Sequence, residues 1–314
     1  MDDQNTIVLD LTYLCNSTCR YCRWGSSTTE GRRNLAFNSL IIPKSTLYAL
    51  KTERLVLSGG EPRLYPYIDR ILSYYKAYIK NIILITNGYG VTPAEIESLV
   101  DKGISGFTFS IDSMNPKEEF TSRRTSQDTF RKILATLREI SGQNRNFELA
   151  INTVVTHANA RWESISRLLE FSENLGLDFI KFSPIFDDGF AGMNAPDLLL
   201  SENDVDNLRT IGEEIASNRF KRTNTPQFWF DIAEMVLGKQ PQGIKCGLGS
   251  HKANSINYTL TMCYWVREVT YGETKSELSR EQVTSIQRQL ELSKKNCSVN
   301  FHCFCNQKMS HSWW

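Results

Sequence analysis

The sequence predicts an α/β protein: a partial (β/α)6 TIM-like barrel with a small C-terminal module. Three observations predict it. Six short apolar runs alternate with amphipathic stretches, which is the pattern of parallel β/α units. The count stops at six, so the barrel is open and not closed at eight. The eight cysteines of the 314 residues fall into two groups, three at Cys15 to Cys22 and five from Cys246 to Cys305, with none between. That segregation marks a second module. The expected boundaries are residues 1–190 for the barrel, 191–240 for a helical bridge and 241–314 for the C-terminal module.

In chain order, the expected strands are Thr6–Leu11, Arg54–Ser58, Ile82–Thr86, Gly106–Ile111, Phe147–Val155 and Phe179–Ser183. Each is short, apolar and rich in β-branched or aromatic residues. The helices expected between them are Lys44–Lys51, Pro66–Ile79, Pro93–Lys102, Ser126–Ile140 and Trp162–Leu175. Thr92 before Pro93 is a helix-start signal, and Gly88, Gly103 and Gly176 punctuate the breaks. From Phe186 to Pro196 the composition shifts to Asp, Gly, Ala, Asn and Pro, a boundary or an active-site loop. Asp187 and Asp188 there read as turn residues or as binders of a polar substrate. Helices Glu202–Asn218 and Gln227–Leu237 follow, with a charged helix at Glu277–Lys295.

In such folds the chemistry sits at the C-terminal ends of the strands. The loop after strand one carries Cys15, Cys19 and Cys22, spaced C-x3-C-x2-C. Tight cysteine runs of this kind wrap an iron–sulfur cluster. Three local ligands on a four-iron cubane leave one iron open to a small molecule. A zinc knuckle is the alternative, but zinc loops pair C-x2-C with a second pair or with histidines, and no His lies near Cys15. Residues 23–34 are polar and close this loop. After strand two comes Ser58-Gly59-Gly60-Glu61-Pro62, where two glycines let the backbone approach a ligand. Strand three ends Thr86-Asn87-Gly88, and strand four ends Ser110-Ile111-Asp112. These polar side chains either cap the strands or reach a ligand. Asn152 points into the barrel if Ile151 and Thr153 point out.

The triplet together with the Gly-Gly-Glu-Pro stretch resembles the radical S-adenosylmethionine (SAM) enzymes, over roughly the first 185 residues. The resemblance implies a [4Fe–4S] cluster on Cys15, Cys19 and Cys22, with SAM on the open iron. It assigns Gly59, Gly60 and Glu61 to the methionyl ammonium and the backbone of Tyr21 to adenine. Thr86, Asn87, Ser110, Asp112 and Asn152 become SAM or substrate contacts. Arg123 or Arg124 becomes a partner for a carboxylate.

Cys246-Gly-Leu-Gly, then a strand-like run to Cys263, resembles the start of the SPASM/twitch extension of that superfamily. The resemblance implies an auxiliary [4Fe–4S] cluster on Cys246, Cys263, Cys297 and Cys303. Cys305 competes with Cys303, and His302 reads as a surface residue. Four ligands from five cysteines leave one thiol spare. Cys305 is the candidate hydrogen-atom donor, with Cys303 and Cys246 as rivals. A spare thiol favours epimerisation of a small, sugar-like substrate. Dehydrogenation through the auxiliary cluster and ribosomal-peptide maturation are the alternatives, and a zinc- or cluster-binding scaffold is the non-enzymatic one. The chain has no spare length at its start for a leader-peptide-binding domain, which favours the small substrate over a peptide.

A net charge of +1 gives no reason to expect nucleic acid as a partner. The start lacks the features of a signal peptide, and no apolar run approaches the ~18 residues of a membrane span. A cytoplasmic enzyme is expected, reduced by a low-potential donor such as flavodoxin or ferredoxin.

Overall fold

The structure is a computed structural model that describes residues 5–23, 33–142, 144–185, 190–218, 220–239, 252–256, 259–261, 270–273 and 276–293. Six parallel strands lie side by side in chain order: β1 (Thr6–Thr12), β2 (Arg54–Gly59), β3 (Asn81–Thr86), β4 (Gly106–Ser110), β5 (Glu148–Val155) and β6 (Phe179–Pro184). Each is within a residue or two of its expected range. This is the expected partial barrel. Strand alternation sorts the side chains into two sets. Leu9, Leu57, Leu84, Phe109 and Ile151 face the helices in one buried core. Val56, Ile85, Thr108, Asn152 and Lys181 line the lumen.

The helices are α1 (Lys44–Ala49), α2 (Ile68–Tyr75), α3 (Pro93–Asp101), α4 (Pro116–Arg123), α5 (Gln127–Gly142), α6 (Trp162–Asn174), α7 (Phe190–Asn194), α8 (Val205–Asn218), α9 (Pro226–Val236) and α10 (Arg280–Ser293). The Thr92 hydroxyl caps α3 by accepting from Glu95 N–H at 3.2 Å. Helix α4 is not among the expected helices. Asn115 caps it, accepting from Lys117 N–H at 3.0 Å, and Pro116 starts its first turn. That Asn-Pro start signal was present in the sequence. α4 ends at Arg124, which takes a left-handed conformation at φ 56°.

The open edge at β6 is covered by the segment between α8 and α9. Ile180 N–H donates to Arg222 O at 2.9 Å, and the Asn224 amide both accepts from Phe182 N–H at 2.8 Å and donates to Phe182 O at 3.0 Å. A short polar segment thus stands in for a seventh strand.

At the other edge β7 (Lys252–Ile256) pairs parallel with β1 and antiparallel with β8 (Thr259–Thr261), which pairs with β9 (Thr270–Glu273). The β7–β8 pair therefore continues the barrel sheet. Cys246, Cys263, Cys297, Cys303, Cys305, His302, Asp187 and Asp188 lie outside the described residues. No helix among the described residues is long and apolar enough to cross a membrane.

Candidate active site

The cysteine loop leaves the C-terminal end of β1 and is closed at its base. Tyr13 N–H donates to Arg33 O at 2.9 Å, Leu35 N–H to Leu11 O at 3.2 Å, and the Thr12 hydroxyl to Asn34 Oδ1 at 2.8 Å. Cys19 is buried, and Cys15 and Cys22 are partly buried. Polar groups already address two of the sulfurs. Ser17 N–H points at Cys15 Sγ at 3.4 Å, the Ser17 hydroxyl lies 3.2 Å from Cys19 Sγ, and the Asn87 amide lies 3.6 Å from Cys15 Sγ. Burial pushes the Cys15 and Cys19 thiols up. A thiolate here needs a compensating metal charge.

Among the described residues no group of three or more Cys, His, Asp or Glu is gathered closely enough to hold a metal ion. A single zinc would need its sulfurs on one sphere of about 2.3 Å radius. A cubane asks for less convergence, since each thiolate takes a different iron. The loop suits the second demand better than the first.

The glycine pair is fixed by this loop. A Cβ on Gly59 would sit 2.3 Å from Thr12 O, and one on Gly60 2.1 Å from Leu14 O. Side chains are excluded because the two backbones touch. Gly60 N–H donates to Thr12 O at 2.6 Å and Glu61 N–H to Leu14 O at 2.7 Å.

The Glu61 carboxylate is held by the protein's own groups. It is fully buried and turned inward, accepting from the Thr86 hydroxyl at 3.0 Å and from Asn87 N–H at 2.8 Å, with Arg63 Nη1 at 3.7 Å. It ties the end of β2 to the end of β3 and is committed there. Burial raises its pKa against these donors.

The other strand-end residues divide in the same way. The Thr86 hydroxyl serves Glu61 and Gly88 N–H. Asn87 turns its amide to Asn16 Oδ1 at 2.7 Å and to Cys15, so it supports the cysteine loop. Asp112 is fully buried, accepting from the Tyr21 hydroxyl at 2.6 Å and from Val154 N–H at 2.9 Å. Arg123 is 6% exposed; it meets Glu119 at 3.3 Å and Tyr21 Oη at 3.2 Å. It is not available to an external carboxylate, and Arg124 is exposed. Internal contacts therefore engage the side chains of Glu61, Thr86, Asn87, Asp112 and Arg123, although Arg123 Nε makes no hydrogen bond.

Asn152 fares differently. It lines the lumen as expected, and its Oδ1 is buried with no hydrogen-bond partner. Ser110 pairs with it across β4 and β5 on the same face. Val56, Ile83, Ile85 and Phe179 line the lumen toward the strand starts, where Arg54 and Glu148 stand, with Lys181 beside Asn152 in register. Sequence reasoning missed Lys181, Ser17 and Asp10. Asp10 alternates with Leu9 and Leu11 on β1 and so faces the lumen, paired in register with Ser58. Burial pushes its carboxyl up to about 7 against a hydrogen bond from Ser58. The alternation rule that placed Asn152 would have placed these two strand residues as well.

A family model described as "Radical SAM superfamily" matches residues 9–171. An AdoMet-dependent heme synthase of Methanosarcina barkeri is 29% identical over 170 residues, 54% of this chain and 47% of that protein. A GTP 3′,8-cyclase of Chlorobaculum tepidum is 29% identical over 126 residues, 39% of this chain and 37% of that protein. The chain thus spans about half or less of these relatives' length. Among solved structures, native anSMEcpe with bound AdoMet superposes with a TM-score of 0.63 at 16% identity, covering 95% of this chain and 87% of that one. Streptococcus suis SuiB bound to precursor peptide SuiA superposes with a TM-score of 0.62 at 17% identity, covering 88% and 63%. At these identities the likeness is one of fold.

Proposed function

The chain belongs to the radical SAM superfamily, and on that premise we propose that it inverts a stereocentre of a small substrate held in the barrel lumen. It removes a hydrogen atom from one face and returns one from a cysteine thiol on the other. Cys15, Cys19 and Cys22 hold a [4Fe–4S] cluster that, with SAM on its open iron, supplies a 5′-deoxyadenosyl radical when bound. Ser17 and Asn87 orient the thiolates through the sulfur contacts above. Because the Glu61 carboxylate is committed elsewhere, the methionyl ammonium falls to the peptide carbonyls of Gly59 and Gly60. Asn152 Oδ1 needs a donor, and a ribose or substrate hydroxyl supplies one.

The observation that carries the reading is the cysteine count. Three thiolates serve the first cluster, and Cys246, Cys263, Cys297 and Cys303 serve an auxiliary [4Fe–4S] cluster. Of the eight cysteines one is left over. Cys305 is that thiol, with Cys303 and Cys246 as rivals. Its S–H bond is weaker than most C–H bonds, so it gives a hydrogen atom to a carbon radical. The thiyl left behind regains one electron from a low-potential donor of flavodoxin or ferredoxin type and one proton from water. SuiB binds a precursor peptide, which favours peptide maturation as the second reading.

Anaerobic turnover in deuterated water tests the proposal, with candidate metabolites and product analysis by mass spectrometry. An inverted product should gain one deuterium at an unchanged degree of unsaturation. Cys19→Ala should abolish SAM cleavage to 5′-deoxyadenosine. Cleavage surviving that substitution would sink the assignment. A product two hydrogens lighter with no deuterium would show a dehydrogenase.

A further inference from the structure

We propose that the exposed face of α4, with Phe120 at its centre, is the surface on which an acidic one-electron carrier protein docks to reduce the first cluster. The proposal rests on the cluster reading above and adds the place where the electron enters. Three observations carry it.

First, α4 abuts the loop that carries the cysteines. Arg20, next to Cys19, donates its N–H to Ser122 O at 2.9 Å and its guanidinium to Thr121 O at 3.4 Å. The same guanidinium pairs with both Asp197 oxygens, at 2.9 Å and 2.6 Å. Arg20 thus ties the end of α4 and the segment after α7 to the cysteine loop. Electron transfer falls off steeply with distance, so a protein donor must sit close to that loop.

Second, α4 is divided by charge. Glu119, Ser122 and Arg123 are buried. Glu118 is turned inward to Ser113, Asn115, Ser164 and Arg161. Lys117, Phe120 and Arg124 are spaced i, i+3 and i+7, so they share one face, and all three are exposed. Neither Lys117 nor Arg124 forms a salt bridge among the described residues. Both acids of the helix are therefore used inward, and the charges left outward are positive. An acidic surface complements them.

Third, this rim carries exposed apolar side chains. Phe120 is 56% exposed, and Met193 on α7, four residues before Asp197, is 79% exposed. They stand on the two segments that Arg20 ties to the loop. Neither belongs to a buried apolar cluster, so packing does not account for them. Aromatic residues, Met and Arg are the types enriched at interfaces. Electron-transfer complexes are transient and bury little area, so an aromatic anchor with a cationic border suffices.

Stopped-flow reduction of the anaerobically purified protein tests the surface. The donors are a reduced acidic flavodoxin and dithionite, a small reductant that needs no docking. The phase to follow is the one that Cys19→Ala removes. Phe120→Ala and Lys117→Glu should each slow reduction by flavodoxin about fivefold at low salt. Reduction by dithionite should be unchanged in both. Oxidised flavodoxin on a sensor surface should also bind each variant more weakly than the parent. Salt at about 0.5 M should erase the Lys117→Glu difference and leave that of Phe120→Ala. An unchanged flavodoxin rate in either variant, or equal slowing with dithionite, would overturn the inference. A parent protein that dithionite reduces and flavodoxin does not would overturn the choice of partner. Variants altered only in KM for a peptide substrate would make this a substrate surface and refute the proposal. A parent protein that even dithionite cannot reduce would mean that the cluster reading itself had failed, a separate outcome.

Discussion

Gly59 and Gly60 are required by a backbone crossing, and the cost of filling that space is measurable. A Cβ at either position collides with a carbonyl of the cysteine loop, and Gly59 also sits at φ 123°. Gly90 is the control: its φ is 70°, but nothing lies within 4 Å of its Cβ position. Gly90→Ala should cost about 1 kcal/mol for the left-handed backbone alone. Gly60→Ala should cost about 3 kcal/mol, a large effect for one residue, and should also lose iron; denaturant midpoints and iron content check both. Asp10 offers a second measurement. Its carboxyl, ordinarily near 3.8, is pushed up to about 7 in the fold. The folded state therefore holds the proton more tightly, so its contribution to stability is complete below about pH 3.8 and is lost as pH rises through about 7. Asp10→Asn should raise the urea midpoint at pH 8 and leave it nearly unchanged at pH 4. Equal effects at both pH values would mean that Asp10 is ionised in the fold. Asp10 was legible in the sequence as a lumen residue by alternation. Its perturbed carboxyl was not, because that depends on what the other strands place around it.

The six strands were legible because each is a short, largely apolar run bounded by glycine or polar residues. Helix α4 was missed because its sequence, Pro-Lys-Glu-Glu-Phe-Thr-Ser-Arg, shows no apolar stripe. Its buried face is ionic, with Glu119 and Arg123 one turn apart and both buried. Period-based reading looks for apolar residues and passes over such a helix. The Glu61 latch was not foreseen for a related reason. A carboxylate after two glycines looks like a ligand, whereas its partners, Thr86 and Asn87, lie at the end of the next strand. Only the parallel register of β2 and β3 brings them together. Glu61→Ala removes the acceptor of two buried donors. It should cost about 3 kcal/mol, since each unsatisfied buried group costs about 1–3 kcal/mol. Glu61→Gln should recover part of this, because its carbonyl still accepts from one donor. Equal losses in Gln and Ala would point to charge as the operative feature.

At the scale of the molecule, β7 joins the barrel sheet beside β1, so the segment leading to the C-terminal cysteines is built against the strand that launches the first cysteine loop. The sequence showed two groups of cysteines but could not show this pairing, which joins Thr6 to Lys252, 246 positions apart, through parallel strands. The pairing sharpens a question about metal content. If the five C-terminal cysteines form their own cluster site, the two sites share a scaffold but no ligand. Replacing Cys15, Cys19 and Cys22 by Ala should then leave the C-terminal iron in place. Those cysteines leave the β1 end as a loop closed by Tyr13, Leu35 and Thr12, and none of these closing bonds uses a cysteine. The substitution should therefore spare β1 and, with it, the partner of β7. Iron and sulfide analysis should read about eight irons in the parent protein and about four in the triple variant, with unchanged circular dichroism. Loss of all iron from a protein that is still folded would show that the C-terminal cysteines hold no cluster of their own, and the thiol assigned as hydrogen donor would then be one of five without a metal.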